Sequence, residues 1–147
     1  MKTASKFFTT EQKDAIVQSI KLAELNTSGE IRVHIETTCK GDVMERAAFV
    51  FKKLNMHKTH LRNGVLIYLA VESKVFAILG DAGINKIVPE NFWENVKETM
   101  QNSFKQADFT KGLTEGIAMI GEKLKIYFPH QSDNVNELPD EISFKKF

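Results

Sequence analysis

Four oxygen-bearing side chains stand out for the chemistry they could do together: Asn63, Asp81, Asp108 and Glu115. Asn63, Asp81 and Asp108 are predicted at element ends and Glu115 one turn into a helix. Loop carboxylates, an amide, backbone carbonyls and water together suit a hard cation such as Ca²⁺ or Mg²⁺. A plainer reading stands beside this one. Asp108 can cap a helix, Asp81 can accept backbone N–H bonds in a glycine-rich turn, and Glu115 can be a solvated helix residue. Other reactive types are less well placed. Cys39 is the sole cysteine, so it has no internal disulfide partner. Its odd spacing from His34 puts the two on opposite faces of a continued strand, which argues against a Cys/His dyad. His57 and His60 could share a helical face, but no cysteine or third histidine lies near them to complete a zinc site. The chain has no Gly-x-Ser-x-Gly elbow, phosphate-cradling glycine loop or Cys-x-x-Cys.

The acids are positioned by the stretch from Asn63 to Gly83. Two short apolar runs, residues 65–71 and 75–79, flank Glu72-Ser73-Lys74, which predicts an antiparallel hairpin buried on both faces at the centre of a covered sheet. Pairing Val71 with Val75 sets Asn63 and Gly64 beside Asp81 and Ala82 at the open end. Asp81 and Asp108 can then share an ion only if residues 81–88 run back along the sheet, crossing the 55–63 loop. Eight extended residues span about 26 Å, enough for that. A helix antiparallel to the strand would instead leave the two acids about 20 Å apart.

Around this hairpin the periodicity supplies helices. Thr9 and Gln12 have capping-box spacing ahead of Ile16, Val17, Ile20, Ala23 and Leu25, and the turn cluster 26–29 ends that helix. From Glu30 the pattern alternates, with Ile31, Val33 and Ile35 on one face and Arg32, His34 and Glu36 on a wetter one, as in a strand nearer the sheet edge. Asp42 caps a helix carrying Met44, Ala47, Ala48, Phe51 and Leu54. Pro89 suits the first position of another, with Phe92, Val96, Met100 and Phe104 on its apolar face beside Trp93. Leu113, Ile117, Ile120 and Leu124 form a fourth, closed by Pro129. These elements predict an α/β fold, a three-layer αβα sandwich with a small mixed central sheet of about four strands. Residues 1–128 form the domain, and 129–147 an acidic tail, with Asp133, Glu137, Asp140 and Glu141, that is packed on the surface or disordered.

The chain has 147 residues and a formal net charge of +1, from 20 basic and 19 acidic residues. Nothing in that balance favours nucleic acid or an anionic membrane. The N-terminus lacks the apolar core of a signal peptide, and no run approaches the roughly 18 apolar residues of a membrane span. A cytoplasmic location is expected.

In order along the chain, Ser28-Gly29-Glu30-Ile31-Arg32-Val33, Arg62-Asn63-Gly64-Val65-Leu66-Ile67-Tyr68-Leu69, Gly80-Asp81-Ala82-Gly83-Ile84 and Ala107-Asp108-Phe109-Thr110-Lys111-Gly112-Leu113 resemble the TPM domain family. With neither a leader nor a trailing membrane helix expected, the chain resembles a stand-alone member, and the tail beginning Gln131-Ser132-Asp133 resembles that of a flavobacterial-type one. The resemblance implies an αβα sandwich with divalent metal near a pair of crossing loops. Plant thylakoid relatives are described as acid phosphatases linked to photosystem II repair. Position by position it points to Asp81 and Asp108, with Asn63 or its backbone close by; Glu115 is added for proximity. Where the family has Gly-x-Gly-Leu-Glu, this chain has Gly80-Asp81-Ala82-Gly83-Ile84, with its acid displaced, which weighs against phosphatase activity. Three expectations follow: a non-catalytic Ca²⁺- or Mg²⁺-binding domain whose crossing loops order on the ion, a metal-dependent phosphatase, and a metal-independent module that binds another protein through its acidic tail.

Overall fold

Strand β2, Gly64–Ala70, is buried along its whole length, because the computed structural model places β1, Glu30–Glu36, on one side of it and β3, Val75–Gly80, on the other. The structure describes residues 4–131 and 135–147; Asp133 lies outside them. β1 runs parallel to β2, from Glu30 opposite Gly64 to Glu36 opposite Ala70. β3 runs antiparallel, from Gly80 opposite Val65 to Val75 opposite Ala70. The sheet is therefore mixed, as expected.

Alternation along β2 divides the interior into two layers. Val65, Ile67 and Leu69 face a core shared with Ile31, Val33 and Ile35 of β1. Over that core lie a short N-terminal helix α1 (Ala4–Phe7) and the helix α2 (Thr10–Glu24). On the opposite face, Leu66, Tyr68 and Ala70 meet Ala47, Val50 and Phe51 of α3, Val43–Lys53. Beyond β3 come α4 (Ala82–Asn85), α5 (Glu94–Lys105) and α6 (Phe109–Tyr127), of which α6 lies between α2 and α5, with Gly121 against Ala23 and Gly116 against Met100. The predicted αβα sandwich is the observed one. Ile16 and Ile20 are fully buried, which contributes about 1.5–3 kcal/mol each, more than helix propensity could supply.

Both predicted caps form. Thr9 accepts from the Gln12 N–H at 3.1 Å and donates its own N–H to the Gln12 side chain at 2.9 Å. Asp42 accepts from the N–H groups of Met44 and Glu45 at 2.8 and 3.0 Å.

Four expectations are corrected. The hairpin closes on Ala70 and Val75, not Val71 and Val75, since Lys74 takes a left-handed conformation with φ 56° and adds a residue to the turn; Gly64, rather than Asn63, faces Asp81. The hairpin is not buried on both faces throughout: Val75, Phe76 and Leu79 are half-buried, because β3 is an edge strand. The face of β1 expected to be wetter is dry at His34, because the tail covers that edge, Ser143 exchanging backbone hydrogen bonds with Val33 and Ile35 at 2.9 Å each. Finally, the helix expected to open at Pro89 begins at Glu94. Phe92 and Trp93, stacked edge to face at 4.6 Å, anchor the intervening turns against the core.

The connection after β3 turns at once into α4 rather than running back along the sheet. It crosses the 55–63 loop at Gly83, whose N–H donates to the Arg62 carbonyl at 2.8 Å. A Cβ there would collide with the carbonyl oxygens of Leu61 and Arg62. Backbone cannot yield as a side-chain tip does, so Gly83→Ala is predicted to destabilise the protein by about 1–3 kcal/mol, measured as a lower urea midpoint with unchanged m-value.

Candidate functional site

The crossing of loops brings Asp81 to Arg62. Asp81 is 5% exposed and receives two guanidinium hydrogen bonds from Arg62, both at 2.7 Å, plus the Ala82 N–H at 2.7 Å. Arg62 reaches it from a left-handed backbone, φ 52°. The cation that a carboxylate beside an apolar core requires is thus supplied by the chain itself. Buried Asn63 donates its amide to the Ser28 carbonyl at 3.2 Å, while its own carbonyl accepts from the Glu30 N–H at 3.3 Å.

Asp108 lies elsewhere. Trp93 packs against Gly80, 3.2 Å from where a Cβ would stand, whereas Phe104 meets Phe76 at 5.0 Å between ring centroids. α5 therefore runs antiparallel to β3 and delivers Asp108 to the hairpin-turn end of the sheet. The strand between Phe76 and Asp81 alone spans about 16 Å, so the structure does not bring the two acids together. Asp108 caps α6 through the Lys111 N–H at 3.1 Å, and Glu115 accepts from the Ser103 hydroxyl at 3.4 Å. Asn63 and Asp81 remain neighbours at the open end; Asp108 and Glu115 do not join them.

What does join them is a set of acids that the sequence reading passed over. Glu24, the last residue of α2, and Glu30, the first of β1, flank the turn 25–29, which Thr27 and Ser28 fasten to the Phe128 carbonyl. Glu24 accepts from the Ile31 N–H at 2.9 Å and Glu30 from the Leu138 N–H at 2.7 Å. Burial, then a hydrogen bond with Asp140, pushes the Glu24 carboxyl up to about 9, so it holds a proton at neutral pH. Burial also raises Glu30, with Glu137 and Asp140 adding repulsion. Among the described residues none of these four acids is ion-paired. A cleft of about 230 Å³ opens on Glu24, Glu30, Asn136 and Asp140. Among the same residues, no three Asp, Glu, His or Cys side chains converge closely enough to hold a metal ion as they stand. An acid on either side of a turn was visible in the sequence; that the tail supplies the others was not.

A second buried network lies at the other end of β1. Glu36 accepts from Arg46 at 2.9 and 2.6 Å, the Tyr68 hydroxyl at 2.5 Å and His34 at 3.0 Å. Burial pushes this carboxyl up, but the bonds from Arg46, Tyr68 and His34 outweigh it and hold it at about 2. A depressed carboxyl contributes stability that is present above its ordinary 4.5 and is lost as pH falls towards 2. Glu36→Gln is accordingly predicted to lower stability at pH 7 and to flatten the acid limb of the unfolding curve between those values, read by far-UV circular dichroism.

Comparison with known proteins agrees with this architecture. The TPM domain family matches residues 1–123. The BA42 protein of the psychrophilic bacterium Bizionia argentinensis, solved by NMR, is similar at 50% identity and TM-score 0.90, covering 95% of this chain and 97% of that one. An N-terminal domain from Corynebacterium glutamicum aligns at 13% identity and TM-score 0.64, covering 79% and 73% of the two chains. A P. gingivalis N-terminal domain aligns at 12% identity and TM-score 0.68, covering 86% and 83%. These last two share the fold alone. No curated protein matches. Among the described residues no helix is long and apolar enough to cross a membrane.

Proposed function

The chain belongs to the TPM domain family, and from that footing we propose that it is a non-catalytic, divalent-cation-binding domain whose ligands are Glu24, Glu30 and Asp140, acids that stand too far apart for a metal site until an ion draws them together. The observation that carries this reading is the crowding of half-buried and buried acids that form no ion pair among the described residues, although Lys21 also lines the cleft, to the point that Glu24 keeps its proton up to about pH 9. The donors are all oxygens, and the cleft adds the Asn136 amide, a set that suits Ca²⁺ or Mg²⁺. A bound cation would supply positive charge to these carboxylates and pull Glu24, Glu30 and Asp140 closer across the contact that the tail already makes through Leu138. Asp81 and Asn63, expected as ligands, serve in this reading to fasten the crossing loops at the same sheet end, with Arg62 as the cation of Asp81.

Phosphatase chemistry has weaker support. Arg62, the guanidinium nearest Asp81, is held by that carboxylate in a two-point contact and does not present itself to a phosphoryl oxygen. Turnover of a phosphomonoester that survives purification and vanishes in Asp81→Asn would replace the present proposal.

The raised Glu24 carboxyl sets a pH dependence. A carboxyl that is higher in the folded state contributes stability that is complete below its ordinary 4.5 and lost as pH rises towards 9. The metal-free protein is predicted to lose stability across that window, and Ca²⁺ or Mg²⁺ to restore it. The gain is about 2.7 kcal/mol at a free ion concentration a hundredfold above Kd. Melting temperatures against Ca²⁺, Mg²⁺ and chelator test this: Glu24→Gln and Asp140→Asn should abolish the gain, while Asp108→Asn keeps it. A gain that disappears in Asp81→Asn and survives in Glu24→Gln would return the site to the crossing loops.

A further inference from the structure

At the hairpin-turn end, remote from the acids just described, lies a groove of about 820 Å³, within the size range of small-molecule sites. Its walls are Phe7, Phe76, Phe104 and Phe109, each only half-buried. The rings form one continuous array, Phe76 edge-on to Phe104 at 5.0 Å, Phe104 stacked with Phe109 at 5.4 Å, and Phe109 edge-on to Phe7 at 5.3 Å. Four contacting phenylalanines left partly open to water are an apolar surface that the domain's own packing does not close.

The mouth is charged, and unequally. Lys74 and Lys105 line it, against Glu72. Both lysines are exposed, and among the described residues neither is ion-paired. Their stems can lie along apolar ligand surface while their ammonium groups meet a charge at the rim. Lys74 is set by a left-handed turn position, φ 56°, and the α5–α6 connection beside Lys105 by another at Ala107, φ 61°. The groove is therefore preformed between a strand, a helix end and two fixed turns.

We propose that this groove binds a monomeric, single-chain amphiphile with an anionic head, of the fatty-acid class, its chain against the phenylalanines and its carboxylate at Lys74 and Lys105. The occupant is a free chain and not a bilayer surface, since the phenylalanines that line the groove are half-buried whereas the two lysines are exposed. This inference is independent of the cation-binding reading.

Dodecanoate below its micelle concentration is the probe, with dodecyltrimethylammonium as the oppositely charged control, followed by calorimetry and by amide shifts of Val71, Phe76, Phe104 and Phe109. Dodecanoate is expected to bind saturably at one site, with shifts confined to the groove, and the cationic amphiphile at least tenfold more weakly. The double variant Lys74→Glu, Lys105→Glu, altered only at exposed positions, is expected to reverse that preference without lowering the melting temperature. Equal binding of the two amphiphiles, or no saturable binding, would overturn the proposal. Capture by anionic vesicles in place of the free chain would do so too, as would ligand-free self-association that buries the same residues.

Discussion

A carboxylate taken out of water must be matched by a cation, by hydrogen-bond donors or by a proton, and the acids at the margins of this sheet use all three. Asp81 takes the Arg62 guanidinium. Glu36 takes Arg46, Tyr68 and His34. Glu30 has backbone N–H groups of the tail, beginning with Leu138, and Glu24 retains its proton beside Asp140. The first two arrangements are complete in themselves. Protonation of Glu24 is a different kind of solution, because a proton is readily exchanged for a metal ion.

The dry central strand gathers most of this local electrostatics at one end of the sheet. β2 is rigidly paired on both sides, and its first residue, Gly64, lies between Glu30 on one neighbour and Asp81 on the other. Side chains at the ends of such strands are held in place without spanning loops of their own, so the open end gathers the turn after α2, the crossing loops and the tail into one region. The hairpin-turn end holds the Glu36 network on β1 and, beyond β3, half-buried aromatic rings beside lysines that form no ion pair among the described residues.

Much of this was legible in the sequence. The apolar runs on either side of Glu72-Ser73-Lys74, the Thr9 and Asp42 caps and the helical stripes are local signals, and each element they specify is present. The expected neighbourhood of Asn63 and Asp81 follows from strand register, and it survives the one-residue shift introduced at Lys74. What the sequence could not yield was long-range. The direction of α5 depends on where Trp93 and Phe104 pack, and it separated Asp108 from Asp81. The tail carries no strong periodicity, so neither its Ser143 pairing with β1 nor the approach of Asp140 to Glu24 could be assigned, although all the acids were in plain view. Arg62 as the partner of Asp81 was similarly hidden in a left-handed loop residue.

The most direct test is the proton balance of cation binding. Adding Ca²⁺ to the metal-free protein at pH 7 in weak buffer, with the released acid followed by calorimetry in buffers of different ionisation enthalpy, reads the Glu24 proton itself. The account predicts release of about one proton per ion bound, and no release from Glu24→Gln. Binding of Ca²⁺ with no proton released from the unsubstituted protein would contradict it.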